Sequence, residues 1–124
     1  MTDRGGRARV ASVSAGLSTR PGAGGPPTDY AAAVLAVVRR IPPGQVLSYG
    51  DVAELVGRGT GRGVGQVLAK HGRDVDWWRV VRSDGAPAPA HPLEALTELR
   101  AEGCPVVGPR LDRVDMARAR WDGG

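Results

Sequence analysis

Residues able to do covalent chemistry are scarce in this chain, and none has the neighbours it would need. The single cysteine, Cys104, has no histidine beside it to act as base. One cysteine also excludes an intramolecular disulfide and any cysteine-rich metal site. His71 and His91 stand apart and make no ligand cluster. Asp74 and Asp76 flank Trp77 and Trp78 at a loop entrance, where solvation suits them better than proton transfer. Gly57 to Gly65 is glycine-rich but lacks the Gly-Lys-Ser/Thr ending of a phosphate loop. No catalytic residue, metal or cofactor is expected, and binding chemistry is what remains.

That chemistry gathers between Ser48 and Lys70, which reads as two short helices joined by a glycine-rich turn. Ser48 is a candidate N-cap with Asp51 three residues on, followed by apolar Val52, Leu55 and Val56. The second helix carries Val64, Val67 and Leu68 on one face and Gly61, Arg62, Gly63 and Gly65 on the other. Each glycine costs about 1 kcal/mol in a helix relative to alanine. Several within two turns imply close approach to something else. A helix-turn-helix with Arg62 projecting from a low surface, laid against nucleic acid, accounts for them.

Charge agrees in direction. The chain has 124 residues and a formal charge of +4. Residues 39–82 hold eight basic and four acidic side chains, and the first 28 hold four arginines and one aspartate. A basic face suits phosphate binding, although a solvated surface with an uneven count fits charge alone equally well.

Around this centre the remaining elements fall into place. Residues 1–27, rich in Gly, Ala, Pro and Arg, read as a disordered tail, and 28–124 as one domain. Thr28 caps a helix from Asp29 to Arg40 with an apolar stripe of Tyr30, Ala33, Val34, Val37, Val38 and Ile41, ended by Pro42-Pro43-Gly44. Trp77 to Arg82 suggests a strand, and Asp84-Gly85 a tight turn, together the start of a wing. Ala86 to Pro92 is a loop. Pro92 opens a helix to Glu102 with Leu93, Leu96 and Leu99 inward and Gly103 as its stop. Val106-Val107 and Leu111 to Val114 are candidate short strands, and Trp121 a terminal anchor. The fold class is α/β, mostly α: a small winged-helix-like domain with a helix-turn-helix, short wing strands and a C-terminal helix. No stretch has transmembrane length or a signal-peptide core. A cytoplasmic monomer, associated with the nucleoid when bound to DNA, is the expectation.

Three segments then converge. Pro43-Gly-Gln-Val-Leu-Ser-Tyr49-Gly-Asp-Val-Ala53, Gly61-Arg-Gly-Val-Gly-Gln66 and Trp77-Trp-Arg-Val-Val81 followed by Ser83-Asp-Gly85 resemble the DNA-binding domain of O6-alkylguanine-DNA alkyltransferases. The resemblance covers about residues 29 to 121, and the pieces stand in the family's order and spacing. Enzymes of that family have Pro-Cys-His-Arg-Val, whose cysteine takes the alkyl group; here the same place reads Asp76-Trp77-Trp78-Arg79-Val80. An indole has no ionisable nucleophile. The chain is therefore more similar to the alkyltransferase-like proteins, which bind lesions without the chemistry.

The resemblance implies roles. Tyr49 matches the tyrosine that pushes on the phosphate beside a damaged nucleotide, and Arg62 the arginine that fills the vacated stack. Gly61, Gly63 and Gly65 match small residues that let the helix press into the minor groove. Trp77, with Val80 and Ser83, would line the pocket for the flipped base. The implied partner is duplex DNA carrying O6-alkylguanine, with handover to nucleotide excision repair. Each residue also has a plainer reading: Tyr49 as packing, Arg62 as an ordinary phosphate contact, Trp77 and Trp78 as core, Arg79 as a structural tie, His71 and His91 as surface. Two departures stand out. Asp76 replaces the family's proline, and Ala86 to Pro92 lacks the arginine that some alkyltransferase-like proteins use to sense the lesion. The rival reading is a winged-helix transcription regulator or a generic DNA-binding protein. A regulator would need long polar side chains on the second helix to read the major groove.

Overall fold

The computed structural model describes residues 27–124; the expected disordered tail lies outside them, apart from Pro27. Helix α1 spans Asp29–Arg40, with the Thr28 hydroxyl accepting from the Ala31 N–H at 3.1 Å. Strand β1, Leu47–Ser48, leads directly into α2, Tyr49–Val56. The predicted capping box is present in both directions: Asp51 N–H donates to Ser48 Oγ and Ser48 N–H to the Asp51 carboxylate. Helix α3 spans Gly61–His71 behind an N-cap at Thr60. Strand β2 is Val80–Val81, α4 Pro92–Ala101, β3 Val106–Val107, β4 Arg113–Val114 and α5 Met116–Ala119.

Two cores meet along β1 and β2, which pair in parallel, Leu47 with Val80 and Ser48 with Val81. Successive strand residues point to opposite faces. Leu47 and Val80 therefore join the core built by α1, α2 and α3, while Val46 and Val81 join a second one with Leu99, Cys104, Val114 and Ala119. The C-terminal segment extends the same seam: Val46 N–H donates to Ala119 O at 3.0 Å, and Trp121 N–H to Val46 O at 2.8 Å. Trp121 packs half-buried on the first core, with Arg40 over its ring, and is the anchor expected.

Several expectations are corrected. The strand from Trp77 to Arg82 shrinks to Val80–Val81, because Trp77–Arg79 forms a 3-10 turn closed by the Arg79 N–H on Asp76 O. Asp84-Gly85 does turn the chain, with Gly85 at φ 89, but joins no hairpin. It docks on β4, where Val114 N–H donates to Gly85 O. The antiparallel pair comes later, β3 with β4. Leu93 is 79% exposed and Leu55 42%; Ala95 and Ala53 are buried instead, alongside Leu96, Leu99 and Val52.

A buried ionic knot fixes the Trp77–Arg79 turn. Arg79 donates to both oxygens of Glu102 and to Ile41 O, and lies 2.9 Å from Asp76. Glu102 also accepts from Trp78 Nε1 and from the Gly44 N–H. Burial pushes the Glu102 carboxyl up, but these hydrogen bonds outweigh it and hold it below the usual range. Arg79 is thus the structural tie anticipated from sequence.

Candidate nucleic-acid interface

Tyr49 is held at the first turn of α2 by the Ser48 cap behind it and by the β1–β2 pairing before it. Its ring lies across α3: a Cβ built on Gly65 would sit 3.8 Å from the Tyr49 ring. Burial raises the Tyr49 hydroxyl pKa, with the positive charge of Arg82 opposing in part. The phenol is a neutral hydrogen-bonding group at neutral pH.

Arg62 is exposed on the second residue of α3 and makes no ion pair or hydrogen bond among the described residues. Arg58, by contrast, is engaged, with its guanidinium 5.5 Å from the centre of the Tyr30 ring. Trp77 stands half-buried beyond the C-terminal end of α3, where Gly72 leaves room for it; a Cβ there would come within 3.4 Å of Trp77 Cβ. Its ring meets Trp78 edge to face at 5.9 Å and His91 at 6.0 Å. Trp78 is turned to Glu102, to which its Nε1–H donates at 3.0 Å, and does not line the hollow between Tyr49 and Trp77.

Between these groups opens a hollow of about 830 Å³, lined by Tyr49, Gly61, Arg62 and Gly65 on one side and by Trp77, Arg82 and the 88–91 loop on the other. That is well within the size of small-ligand pockets. Arg62, Arg73 and Arg82 contribute to the lining, and no aspartate or glutamate does. The site is an electropositive cleft with an indole wall. It suits an anionic polymer that can insert one flat ring.

Of the residues singled out from sequence, Tyr49, Gly61, Arg62, Gly65 and Trp77 come together here. Three do not. Val80 has no exposed surface, because β2 turns it into the α1–α3 core. Ser83 is exposed in the turn after β2, outside the lining. Gly63 faces Tyr30, whose hydroxyl would lie 3.4 Å from an added Cβ. Gly61 also has an internal reason to be glycine: an added Cβ would sit 3.1 Å from the Gly50 nitrogen and 3.3 Å from the Tyr49 carbonyl carbon. The glycine face thus serves helix packing as well as a low surface.

Arg82, Gln66 and His91 line the hollow and were not selected from sequence. Gln66 lies one helical turn beyond Arg62, a spacing that could have suggested it. Nothing local signals His91, which reaches Trp77 only through the path of the loop. Cys104 lies in the second core, 5% exposed, with its thiol pushed up to about 11 by burial and by Glu102. Among the described residues no group of three or more His, Cys, Asp or Glu side chains could hold a metal, and no helix is long and apolar enough to cross a membrane.

The family model described as the DNA-binding domain of 6-O-methylguanine DNA methyltransferase matches residues 29–103. A DNA base-flipping protein of Escherichia coli (strain K12) is 38% identical over 94 residues, spanning 72% of this chain and 71% of that protein. A DNA base-flipping protein of Vibrio parahaemolyticus is 36% identical over 93 residues, covering 71% of this chain and 91% of its own. Among solved structures, S. pombe Atl1 in complex with damaged DNA containing O6-carboxymethylguanine superposes with a TM-score of 0.66 at 26% identity, over 76% of this chain and 95% of that one.

Proposed function

The chain belongs to the family of the 6-O-methylguanine DNA methyltransferase DNA-binding domain, and we propose that it recognises O6-alkylguanine in duplex DNA by nucleotide flipping, without removing the alkyl group. The observation that carries this reading is the electropositive hollow of about 830 Å³ flanked by Tyr49, Arg62 and Trp77. In this reading α3 enters the minor groove, Tyr49 presses on the phosphate beside the lesion and Arg62 fills the gap left in the stack. The extruded base enters against Trp77. Extrusion costs a few kcal/mol, less for a damaged and weakly paired base. Aromatic contacts of about 1–3 kcal/mol per base offset it.

On this reading the chain binds the lesion without offering an acceptor for the alkyl group. Trp77 takes the place of the family's reactive cysteine, and the Cys104 thiol, near 11, stays protonated and lies in another core. A complex that holds a lesion unchanged is useful when another activity reads it. Handover of the bound lesion by the monomer to nucleotide excision repair is the downstream step we infer.

Competition binding with duplexes that differ only in guanine versus O6-methylguanine tests the function. Preference for the alkylated duplex is expected, and equal affinity would leave a generic DNA binder. Weighing the protein after incubation tests the chemistry, since a gain of one methyl mass would establish transfer.

A further inference from the structure

The flipping function proposed above leaves Arg82 unused, although its position is among the most closely determined in the site. Tyr49 follows Ser48 and Arg82 follows Val81, and Ser48 pairs with Val81 in the parallel β1–β2 seam. The two residues therefore leave the seam side by side. The Arg82 backbone is held at both ends, its N–H donating to Ala86 O at 2.9 Å and its carbonyl accepting from the Gly85 N–H at 2.8 Å. The side chain is exposed, lines the hollow and has no hydrogen-bond or ion-pair partner among the described residues.

We propose that Arg82 grips, together with Tyr49, the DNA phosphate next to the extruded nucleotide. A guanidinium offers a planar fork of donors matched to phosphate oxygens, and the neighbouring phenol supplies one more. The lining holds no carboxylate that would compete for the guanidinium. The influence of Arg82 on the Tyr49 hydroxyl already places its charge within electrostatic reach of that group. The inference rests on the flipping reading: a phosphate displaced outward during extrusion moves toward this pair and away from Arg62, which enters the stack.

The test is a double-mutant cycle on the full chain. Wild type and Arg82→Ala are titrated against an O6-methylguanine duplex with native phosphates, and against duplexes with one uncharged methylphosphonate at each position flanking the lesion in turn. Removing either partner alone is expected to weaken binding about ten- to a hundredfold, as for a hydrogen bond to a charged group. At one flanking position the two changes together should weaken it no further. Arg82→Ala should also flatten the dependence of log K on log salt by about 0.9, and Arg82→Lys should retain most of that slope. Losses that multiply at every position, or an Arg82→Ala protein that binds like wild type, would overturn the proposal while lesion preference stands. A wild type without lesion preference would overturn the flipping reading and this one with it.

Discussion

Gly61 and Gly65 lie one turn apart on α3, and adding a methyl group to each should move stability in opposite directions. At Gly61 the new Cβ would lie 3.1 Å from Gly50 N and 3.3 Å from the Tyr49 carbonyl carbon and Cβ. Most of these atoms are backbone at the capped start of α2, so no side chain can swing away and the two helices must part by a few tenths of an ångström. Overpacking of this kind costs about 1–3 kcal/mol. Gly61 is the first residue of α3, where the helix-propensity gain from alanine is well below the about 1 kcal/mol of an interior site. At Gly65, inside the helix, the nearest atoms to the new Cβ are Tyr49 ring carbons at 3.8 and 3.9 Å, which is ordinary contact. Gly61→Ala should therefore lower Tm by roughly 5–15 °C, and Gly65→Ala raise it by roughly 3–6 °C, at about 4–8 °C per kcal/mol for a domain of this size. Thermal unfolding by circular dichroism reads both. Gly65→Ala should nonetheless weaken DNA binding, because its methyl group enters the hollow. If Gly61→Ala proved as stable as wild type, the packing explanation for that glycine would fail.

Arg62→Ala should weaken binding to a lesion duplex at least tenfold and Arg58→Ala about twofold or less, because Arg58 is occupied by the Tyr30 ring; equal small losses in a competition assay would reduce Arg62 to one more phosphate contact. Glu102→Ala should destabilise the fold by about 2–4 kcal/mol in urea denaturation, since it leaves Arg79 buried without its carboxylate. Acid should act on the same knot: with the folded Glu102 carboxyl below its unfolded value of about 4.3, its contribution is complete above that pH and is lost as pH falls through the folded value. Stability that stayed level down to pH ~3 would contradict this. Cys104, 5% exposed with a thiol near 11, should resist iodoacetamide at pH ~7.5 until the protein unfolds, as read by mass.

Much of the scaffold was legible because the rules that build it act over a few residues. The Thr28 and Ser48 caps, the extents of α1, α2, α3 and α4 and the Asp84-Gly85 turn follow from capping, periodicity and turn chemistry that neighbours in sequence enforce. Where local pattern misled, a long-range contact had overruled it. The run from Trp77 to Arg82 looks like a strand, yet Arg79 reaches Glu102 and Ile41 from a 3-10 turn over Trp77–Arg79 that takes its first half. Leucines at helical spacing looked equivalent, yet Leu96 and Leu99 are buried while Leu93 and Leu55 meet solvent.

The site divides in the same way. The residue types and their order determined the two-helix element, Arg62 between its glycines, and the tryptophan at position 77. Only the tertiary structure decided which of these residues share a hollow. It removed Val80, Ser83 and Gly63 and brought in Arg82, Gln66 and His91. The reason is the parallel seam between Leu47–Ser48 and Val80–Val81, which joins segments more than 30 residues apart. A pairing over that distance is set by the burial of two cores at once, and no local pattern in either segment encodes its register.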